Sequence, residues 1–528
     1  MAINNKIDSN ITGLSYAQET SIKVLPITPV WIPLEPNGYN DFGGEVTTVA
    51  RNPINPSRQR KKGVVTDLDA SGGFTTDMTQ TNLQDLLQGF FFADLRRKGE
   101  AQNALGLNTL LFAAANSGSL LTRSGTPAID LTTQFSVGDL VHVQGFSNSG
   151  NNGIFTLSSV TATTVALDDA DGSGTPAVLV DEVANSSVSL VQVGIEGNSG
   201  DIDVDVSGSR PALTSSTLDF TTIGLVVGEF VYVGGDAADT RFTNDSNNGF
   251  CRVRSIAANR LEFDKTSLTF VTEASTSENI HIYTGRVLKN ELGSLINRRS
   301  YQLERTLGKA DSTDTFDQSE YLIGAIPNEF SMTWTNAEKI TSDLSFVATD
   351  NEQRDGTAGP KSGTRLPLVE ADAFNTSNDF SRIKLAIVNE SDANPLPLFA
   401  FATDISININ NGVTPNKAIG TLGAFDASSG NFQVGGSITA YFANVAAVQA
   451  VRNNADITLD AHLVKANAGI SIDLPMLSLG DGRASIEQDQ PIMLPLTKEA
   501  ATGAKLDVNL DHTMLMVFFD YLPTLADS

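Results

Sequence analysis

The chain contains the segment Ile405-Ser406-Ile407-Asn408-Ile409-Asn410-Asn411-Gly412, in which apolar and polar residues alternate strictly before an Asn-Gly pair. A period of two places successive side chains on opposite faces of a strand, and Asn-Gly is a strong hairpin-turn signal. A second alternating strand is expected at residues 432–441. Together the two segments predict a β-hairpin with one buried and one solvent-facing side.

A similar order of strands occurs earlier in the chain. Two strands are expected within residues 328–348, around a turn at Asn336-Ala337-Glu338, and another alternating strand at residues 298–305. Residues 350–363 are rich in glycine and charge and contain no large apolar residue, which is typical of a linker or long loop. The recurring order favours two related β-sandwich units, one on each side of that loop.

The composition of the 528-residue chain predicts a mainly β protein. Charged residues make up 18% and hydrophobic residues 40% of the chain, and its 44 glycines suit short strands and turns better than long charged helices. At about 100 to 200 residues per domain, the length predicts three or four compact units. The single cysteine, Cys251, excludes an internal disulfide, so burial and sheet hydrogen bonds must hold the fold.

The chain is strongly acidic, with 61 Asp and Glu residues against 35 Lys and Arg residues and a formal net charge of −26. Such a charge repels phosphate and argues against sequence-specific binding of duplex DNA. The N-terminus has no apolar core of signal-peptide length, and apolar runs such as residues 514–519 are far shorter than the roughly 18 residues that a membrane span needs. We therefore expect a soluble protein that is not secreted and has no membrane partner.

The first part of the chain combines an arm, a hairpin and a helix. Residues 1–45 are rich in proline and turn residues, which predicts an extended arm. Strands at residues 64–68 and around Phe74 then predict a hairpin. Apolar residues at helical spacing predict one amphipathic helix after it, with Thr81 and Gln84 in a capping box. Its apolar stripe consists of Leu83, Leu86, Leu87 and Phe90.

Residues 103–285 contain an internal duplication. The stretch Val137-Gly138-Asp139-Leu140-Val141-His142-Val143 is echoed 90 positions later by Val227-Gly228-Glu229-Phe230-Val231-Tyr232-Val233. Asn151-Asn152-Gly153 likewise matches Asn247-Asn248-Gly249. Each copy has the strands and Asn-Gly turn of a small hairpin-built β-module. The region holds 20 acidic and 7 basic residues, a net charge of −13. This favours two inserted, solvated modules over repeats that are integral to one large sandwich.

Several stretches, taken in order, resemble the tail tube (major tail) proteins of long-tailed bacteriophages. The resemblance covers residues 45–100 and 286–525, whereas residues 103–285 depart from the shorter members of that family. No single motif is diagnostic, and the ordered set carries the similarity. The matching stretches include Arg60-Lys61-Lys62-Gly63, Gly73-Phe74, Ser300-Tyr301-Gln302-Leu303-Glu304-Arg305, Gly430-Asn431-Phe432, Gly436-Ser437-Ile438-Thr439-Ala440-Tyr441-Phe442, Ile472-Asp473-Leu474-Pro475 and Phe519-Asp520-Tyr521-Leu522-Pro523.

The resemblance implies tail-tube β-sandwiches that contribute to a closed β-barrel shared between subunits, with the two tandem β-modules inserted. If the chain holds two sandwich units, three copies complete a pseudo-sixfold ring, and if it holds one elaborated unit, six copies are needed. The expected segments are an N-terminal arm (1–45), a first part of the tail-tube domain (46–102), module 1 (103–197), module 2 (198–285), the continued tail-tube domain (286–349), a linker or long loop (350–363) and a second tail-tube-like sandwich (364–528).

The function implied is that of a structural virion protein in the phage tail, which would be assembled in the host cytoplasm. Rings of this subunit would stack into a hollow, negatively charged conduit for genome delivery, and phage DNA would pass through without specific binding. Expected partners are further copies of the chain and the tail terminator, tape-measure and distal tail proteins. The acidity either makes the wall repel phosphate or keeps the unassembled subunit soluble. The alternative is a surface or decoration protein that binds glycans through its repeated modules.

Two groups of residues are candidates for contacts between subunits. The cations Arg58, Arg60, Lys61 and Lys62 are expected to face acidic surfaces on an adjacent ring, with DNA as the alternative partner. The aromatic triplet Phe90-Phe91-Phe92 belongs either to the core of its own subunit or to anchors between rings.

Enzymatic chemistry and cofactors are not expected. The chain has four histidines and no nucleophile-elbow pattern beside any serine. The carboxylates Asp201, Asp203 and Asp205 are spaced as in a calcium loop, but Val206 stands where such a loop needs glycine, and the pattern equally suits the polar face of a strand. We assign no metal site and no catalytic residue.

Overall fold

A computed structural model describes residues 7, 9–54, 56, 58–103, 110–309, 315–388, 392–442 and 444–527. Within these residues the chain forms 33 strands and two short α-helices, which confirms the mainly β prediction. The chain divides into two units by its internal contacts. Unit 1 consists of Met1–Asp94, Glu291–Thr376 and Thr403–Thr439, and unit 2 consists of Leu95–Asn290, Ser377–Ala402 and Ala440–Ser528.

The elements are numbered in chain order. Residues 1–94 contain β1 (Gly13–Gln18), β2 (Val30–Leu34), β3 (Pro36–Val49), β4 (Val64–Asp77) and α1 (Gln84–Phe91). Residues 95–290 contain β5 (Glu100–Ala101), β6 (Leu111–Ala115), β7 (Leu120–Ser124), β8 (Asp139–Gln144), β9 (Gly153–Val160), β10 (Thr164–Asp169), β11 (Glu182–Asn185), β12 (Ser189–Glu196), β13 (Asp203–Asp205), β14 (Ala212–Thr214), β15 (Phe230–Val233), β16 (Gly249–Ala257), β17 (Arg260–Thr266), β18 (His281–Tyr283) and β19 (Arg286–Lys289).

The remaining segments complete the two units. Residues 291–376 contain β20 (Tyr301–Gly308), β21 (Gln318–Thr335), β22 (Thr341–Ala348), β23 (Asp350–Arg354) and β24 (Thr364–Arg365). The rest of the chain contains β25 (Phe380–Ile387), β26 (Ala402–Asn410), β27 (Thr414–Lys417), β28 (Ala424–Ser428), β29 (Gln433–Tyr441), α2 (Ala446–Arg452), β30 (Ile457–Lys465), β31 (Ala468–Asp481), β32 (Met493–Ala501) and β33 (Leu515–Phe519). Short 3-10 helices lie at Ser9–Ile11, Leu131–Thr133, Ser149–Asn151, Ala238–Thr240, Asp245–Asn247, Gly293–Leu295, Gly503–Lys505 and Thr524–Asp527.

Unit 1 is organised around the long strand β21. Its first half pairs with β20 and β23, and its second half pairs with β22 on one side and β26 on the other. The ladder continues from β22 through β4 to β3, always antiparallel. Ser406 in β26 contacts Ser437 in β29, so β29 lies beside β26. The result is a layer in the order β3, β4, β22, β21, β26, β29.

The N-terminal segments of unit 1 join this sheet system. β1 pairs with β2 and β20, and β2 runs parallel to β24. Within the stretch for which an arm is predicted, Trp31 is fully buried, 5.8 Å from the ring of Tyr321. The hairpin prediction is wrong in detail, because residues 64–68 and Phe74 belong to one continuous strand, β4, whose partner is β3. The strand Asp350–Arg354 likewise occupies part of the predicted linker.

Helix α1 covers the buried face of this layer. The apolar stripe is confirmed, since Leu83, Leu86, Leu87 and Phe90 are all buried. The predicted capping box is wrong: Leu83 is the N-cap and makes no side-chain cap bond, so Gln84 stands at the first helical position rather than the third. The Gln84 side chain instead donates to the Gln80 carbonyl at 2.8 Å.

The strands of the two predicted modules form one sheet in unit 2. Module 1 has the strand order β11, β6, β7, β10, β9, β8, β12, and module 2 continues with β18, β15, β16, β17, β14, β13. The β12–β18 ladder joins them through three residue pairs, Gly194↔Tyr283, Ile195↔Ile282 and Glu196↔His281. The duplication extends to hydrogen bonds, because Asn152 holds both backbone groups of Phe146 and Asn248 holds those of Phe242 in the same way.

The modules also share a hydrophobic core with the C-terminal sheet of unit 2. That sheet has β25, β30, β31, β33 and β19 in ladder order, with β32 also paired to β31. The shared core draws on module 1, on module 2 and on the C-terminal sheet. Its buried members include Leu140, Val193, Phe230, Phe250, Tyr283, Val464, Leu515, Val517, Phe519 and Leu522.

A buried ion cluster fixes module 2 to the same sheet. Arg252 and Lys265 of module 2 both contact the carboxylate of Asp473 in β31, at 3.0 Å and 2.6 Å. Arg252 also pairs with Asp264 at 2.6 Å, and Lys265 lies 3.8 Å from Asp460. Burial would raise the pKa of Asp473, but the two cations outweigh it and hold that pKa well below its usual range.

Helix α2 packs through alanine side chains. Ala447 and Ala450 are the buried residues, whereas Val445 is 58% exposed. Among the described residues, no helix is both long and apolar enough to cross a membrane.

Candidate functional site

One face of the central strands β4, β22, β21 and β26 of unit 1 carries a continuous group of polar side chains. Successive strands bring these side chains side by side, for example Thr75, Asp343, Ser331 and Asn408 in neighbouring register positions. None of them is buried. We call this surface the polar face. Its thirteen residues are Thr75, Asp77, Glu329, Ser331, Thr333, Thr335, Thr341, Asp343, Ser345, Asp404, Ser406, Asn408 and Asn410.

Strand alternation explains why the polar face exists. The residues between these polar positions point to the other side and form the core, including Phe330, Met332, Trp334, Leu344 and Ile407, all of which are buried. Phe90 of α1 packs there against Phe330 and Phe346, with ring centroids 5.9 and 5.4 Å apart. The hydrophobic side is thus covered within the unit, and the polar side is left for solvent or for another molecule.

The polar face carries negative charge and no lysine or arginine. Seven of its residues are Ser or Thr, two are Asn and four are carboxylates. Asp77 pairs with Lys339 in the turn after β21, at 2.7 Å. Glu329 and Asp343 accept hydrogen bonds from the amides of Asn410 and Asn40, at 2.7 and 3.1 Å. Within the described chain, the carboxylates of Glu329, Asp343 and Asp404 have no cationic partner.

The four predicted basic residues lie together at the tip of the β3–β4 hairpin. Residues 50–63 connect the two strands and contain Arg51 as a fifth cation, with no acidic residue among them. Arg58, Arg60, Lys61 and Lys62 are all exposed. The backbone closes the loop through a hydrogen bond from Lys61 N to the Arg51 carbonyl, at 3.1 Å.

The hairpin that carries these cations projects from the sheet. Residues 45–49 of β3 and 64–66 of β4 are exposed on both faces. Val46, Val49, Val64 and Val65 are each at least half exposed. We call residues 45–66 the basic ribbon. An isolated two-stranded ribbon is marginally stable in water, so a ribbon with apolar side chains on both faces is typical of a surface that another molecule covers.

An acidic groove lies at the base of the same hairpin. It has a volume of about 610 Å³ and is lined by the carboxylates of Asp41, Glu45, Asp69 and Glu320. Two cations already pair with its wall. Lys417 pairs with Asp69, and Arg305 pairs with Glu320, with its guanidinium 4.6 Å from the ring of Phe42. Unit 1 therefore presents a positive projection and a negative groove on one hairpin.

Phe90, Phe91 and Phe92 lie inside unit 1. Phe90 and Phe91 are essentially unexposed and Phe92 is 8% exposed. Phe91 packs 5.7 Å from the ring of Phe432, and Phe92 ends α1 in a left-handed conformation with φ of 48°. Within the subunit these three rings are core residues, and they are not part of the exposed basic loop.

The remaining polar clusters have internal partners. Asp201 accepts from Ser216 and Thr217, Asp203 from the Ser275 amide, and Asp205 pairs with Arg260. Among the described residues, no three metal-ligating side chains come together as an ion site would need.

Two histidines contact hydroxyls: His281 Nδ1 lies 3.3 Å from the hydroxyl of the buried Tyr283, and His462 contacts a serine. His462 Nδ1 lies 2.7 Å from Ser471 Oγ, but both residues are buried and face the core of unit 2. The ring of His462 stacks on Phe250 with centroids 4.2 Å apart. A substrate has no access to this pair, so it is part of the packing.

The polar face is the feature that sequence reasoning did not assign. The signal was present in the alternation of residues 405–412, whose polar half, Ser406, Asn408 and Asn410, lies on that face. Which other strands would contribute depends on the register between segments that are far apart in the sequence, such as β4 and β22, where Thr341 pairs with Asp77 and Ala348 with Ala70.

Comparison with known proteins supplies one match. A family model described as phage tail tube protein matches residues 9–500, nearly the whole chain. No curated protein matches the chain significantly.

Proposed function

Because the chain belongs to the phage tail tube protein family, we propose that it is the structural subunit whose rings stack into a hollow tube for delivery of the phage genome. The protein is accordingly a component of the virion tail, assembled in the host cytoplasm, and its role is structural rather than catalytic. The observation that carries the proposal is the polar face, which we assign to the wall of the lumen.

A wall of this composition suits the passage of DNA. Lysine and arginine bind phosphate by releasing counterions, and each such contact makes binding stronger and salt-dependent. The polar face has none of these cations, and its three carboxylates without a cationic partner repel phosphate. Hydroxyl and amide groups keep the wall hydrated. DNA then moves along the wall without being held.

The ring is proposed to contain three copies with a pseudo-sixfold outline. Support comes from a repeated pattern within one chain: two neighbouring strands followed by a short helix occur as β3–β4–α1 and, with the small hairpin β27–β28 between the strands, again as β26–β29–α2. Six copies are the alternative if only one of these patterns contributes to the wall. Lateral closure is assigned to β3, none of whose fourteen residues is buried and which pairs with β4 along one edge. Pairing with the next copy would satisfy its other edge.

Stacking of rings is proposed to place the basic ribbon of one copy in the acidic groove of a copy in the next ring. The contact brings five cations to a groove of four carboxylates, of which Asp41 and Glu45 have no cationic partner among the described residues. It is heterologous, so it repeats without closing, as a tube requires. The tail terminator and distal tail proteins would then meet the two ends of the stack, and the tape-measure protein would occupy its lumen.

Electron microscopy of the purified protein tests the assembly. Rings or tubes with threefold symmetry and a sixfold outline are expected. Rings with true sixfold symmetry would support the tube but exclude a ring of three copies. Discrete monomers under all assembly conditions would overturn the proposal.

The lumen assignment has its own test. Ser331→Lys and Asn408→Lys place cations at the centre of the polar face, and Thr163→Lys adds the same charge at an exposed position of module 1. Tubes that carry Ser331→Lys or Asn408→Lys should retain DNA. The slope of log K against the logarithm of the salt concentration should become steeper by about 0.9 for each added phosphate contact. Equal behaviour of all three variants would show that the polar face does not line the lumen.

Charge reversal tests the stacking contact. Lys61→Glu with Lys62→Glu should allow rings but prevent tubes, and adding Glu45→Lys in the acidic groove should restore part of the stacking. Tubes of normal length from the reversed loop alone would exclude it from the ring-to-ring contact.

A further inference from the structure

The two duplicated modules differ by an insertion at one loop. In module 1, two residues separate Val143 from Phe146, whereas in module 2 eight residues separate Val233 from Phe242. The flanking hydrogen bonds are conserved between the copies, since Asn152 and Asn248 hold the two phenylalanines identically. The six additional residues of module 2 therefore leave its framework unchanged and add a loop at residues 234–241.

This loop borders a cavity of about 670 Å³ within unit 2. The volume lies in the range of about 300 to 1,000 Å³ that is typical of small-ligand sites. Phe250 and Leu268 supply apolar wall, and Tyr232, Arg241 and Asp245 supply polar groups. At the corresponding positions module 1 has His142 in place of Tyr232, Gly145 in place of Arg241 and Ser149 in place of Asp245. The polar groups are thus particular to module 2.

Three of these polar groups are not used by the described protein. The hydroxyl of Tyr232, the guanidinium of Arg241 and the carboxylate of Asp245 have no hydrogen-bond or ion-pair partner there. Tyr232 is 6% exposed and lines the cavity, so its side chain is fixed by packing while its hydroxyl is open to the cavity. Together with the half-buried Arg241 and the exposed Asp245, this hydroxyl leaves three hydrogen-bonding groups available to a molecule in the cavity.

Another residue of the loop, Asp236, holds the C-terminal segment of the chain. Asp236 accepts hydrogen bonds from the backbone amides of Thr524 and Leu525, at 3.1 and 3.2 Å. That contact accounts for one inserted residue, whereas the Arg241 guanidinium makes no hydrogen bond or ion pair with the described residues and lies near Tyr232 in the cavity wall.

We propose that this cavity binds one sugar unit of a glycan, with Arg241, Asp245 and Tyr232 as the hydrogen-bonding groups. A sugar presents donors and acceptors around a partly apolar ring. Arg241 can only donate, ionised Asp245 can only accept, and the Tyr232 hydroxyl can do both. Phe250 and Leu268 match the apolar part of the ring. Arg382 also lines the cavity but is already paired with Asp460 at 2.9 Å. A simple anion suits the site less well, because Asp245 brings a negative charge that offsets the charge of Arg241.

Saturation-transfer NMR on the full-length protein tests the site. The probes are a neutral hexose, a 6-deoxyhexose, an N-acetylhexosamine and a hexuronate, each at about 10 mM, with inorganic phosphate as a further probe. We expect binding of at least one sugar with a Kd of about 1 mM. Arg241→Ala should weaken it at least about tenfold and Tyr232→Phe about fivefold, as expected for loss of a charged and a neutral hydrogen bond.

Arg260→Ala is the matched control, since Arg260 belongs to module 2 but lies outside the cavity and pairs with Asp205 and Glu262. Absence of binding by every sugar, binding that Arg241→Ala and Tyr232→Phe leave unchanged, or preference for phosphate would each overturn the proposal. Tube formation by the Arg241 variant is expected to be normal, so failure of the sugar site is distinguishable from failure of the tube.

Discussion

Replacing Asp473 by asparagine tests how firmly module 2 is held to the C-terminal sheet. The two side chains have nearly the same shape, so Asp473→Asn removes a charge from the buried ion cluster without opening a cavity. Asp473 is fully buried, and the change leaves Arg252 with Asp264 at 2.6 Å and Lys265 with Asp460 at 3.8 Å. Both cations therefore keep one partner, and Lys265 keeps the weaker one.

The structure sets the expected magnitude. Removing one member of a buried ion pair costs about 3 to 5 kcal/mol, and the surviving partners favour the lower end, about 3 kcal/mol. With a urea m-value of about 3 kcal/mol per molar, the unfolding midpoint should fall by about 1 M. The wild-type protein should also lose this stabilisation as the pH falls below about 4, because the carboxylate is then protonated in the unfolded chain.

Urea unfolding followed by far-UV circular dichroism measures the midpoint. Tryptophan fluorescence identifies the unit affected, since both tryptophans, Trp31 and Trp334, belong to unit 1. Asp481→Asn is the control, because Asp481 pairs with Arg483, whose side chain is 88% exposed, and no measurable shift is expected. A midpoint for Asp473→Asn equal to that of the control would refute the view that this cluster holds the module.

Three further predictions follow from buried groups. Burial and nearby cations hold the pKa of His462 well below its usual value. Below about pH 6.5 the unfolded chain therefore binds a proton that the folded protein does not, and the free energy of unfolding should fall by up to about 1.4 kcal/mol per pH unit. His462→Gln should flatten this slope in denaturation measured across pH, and an unchanged slope would contradict the prediction. Phe90→Ala should destabilise unassembled unit 1 by about 3 to 5 kcal/mol in tryptophan-monitored unfolding, whereas loss of assembly alone would mean that the ring acts between subunits. Deleting residues 103–285 should expose the shared core of unit 2 and give aggregated protein on size-exclusion chromatography; a monodisperse, tube-forming product would show that the modules are dispensable.

Local patterns in the sequence were sufficient for much of the fold. Alternation predicted strand β26 and the pair β21–β22, and the apolar spacing of Leu83 to Phe90 predicted α1. These signals depend on residues that are neighbours in sequence, and each reports which side of one element is buried. The duplication was visible because both modules use the same turn residues.

Long-range features could not be predicted in the same way. β3 contains Asn, Gly and Asp at positions where a strand usually carries β-branched residues, so its pairing with β4 was missed. The contact between Arg252 and Asp473 joins residues 221 positions apart. The basic loop was identified from its composition, but the groove beside it required the register of the hairpin and of β21.

Because β12 pairs with β18, the two modules form one structural unit. A chain with only one of them would present a bare strand edge and part of an uncovered core, and so would be prone to pair with other chains. Loss or transfer of this region between related proteins should therefore occur for both copies at once. Divergence is instead free to act on loops, and the six residues added to one copy are an instance of it.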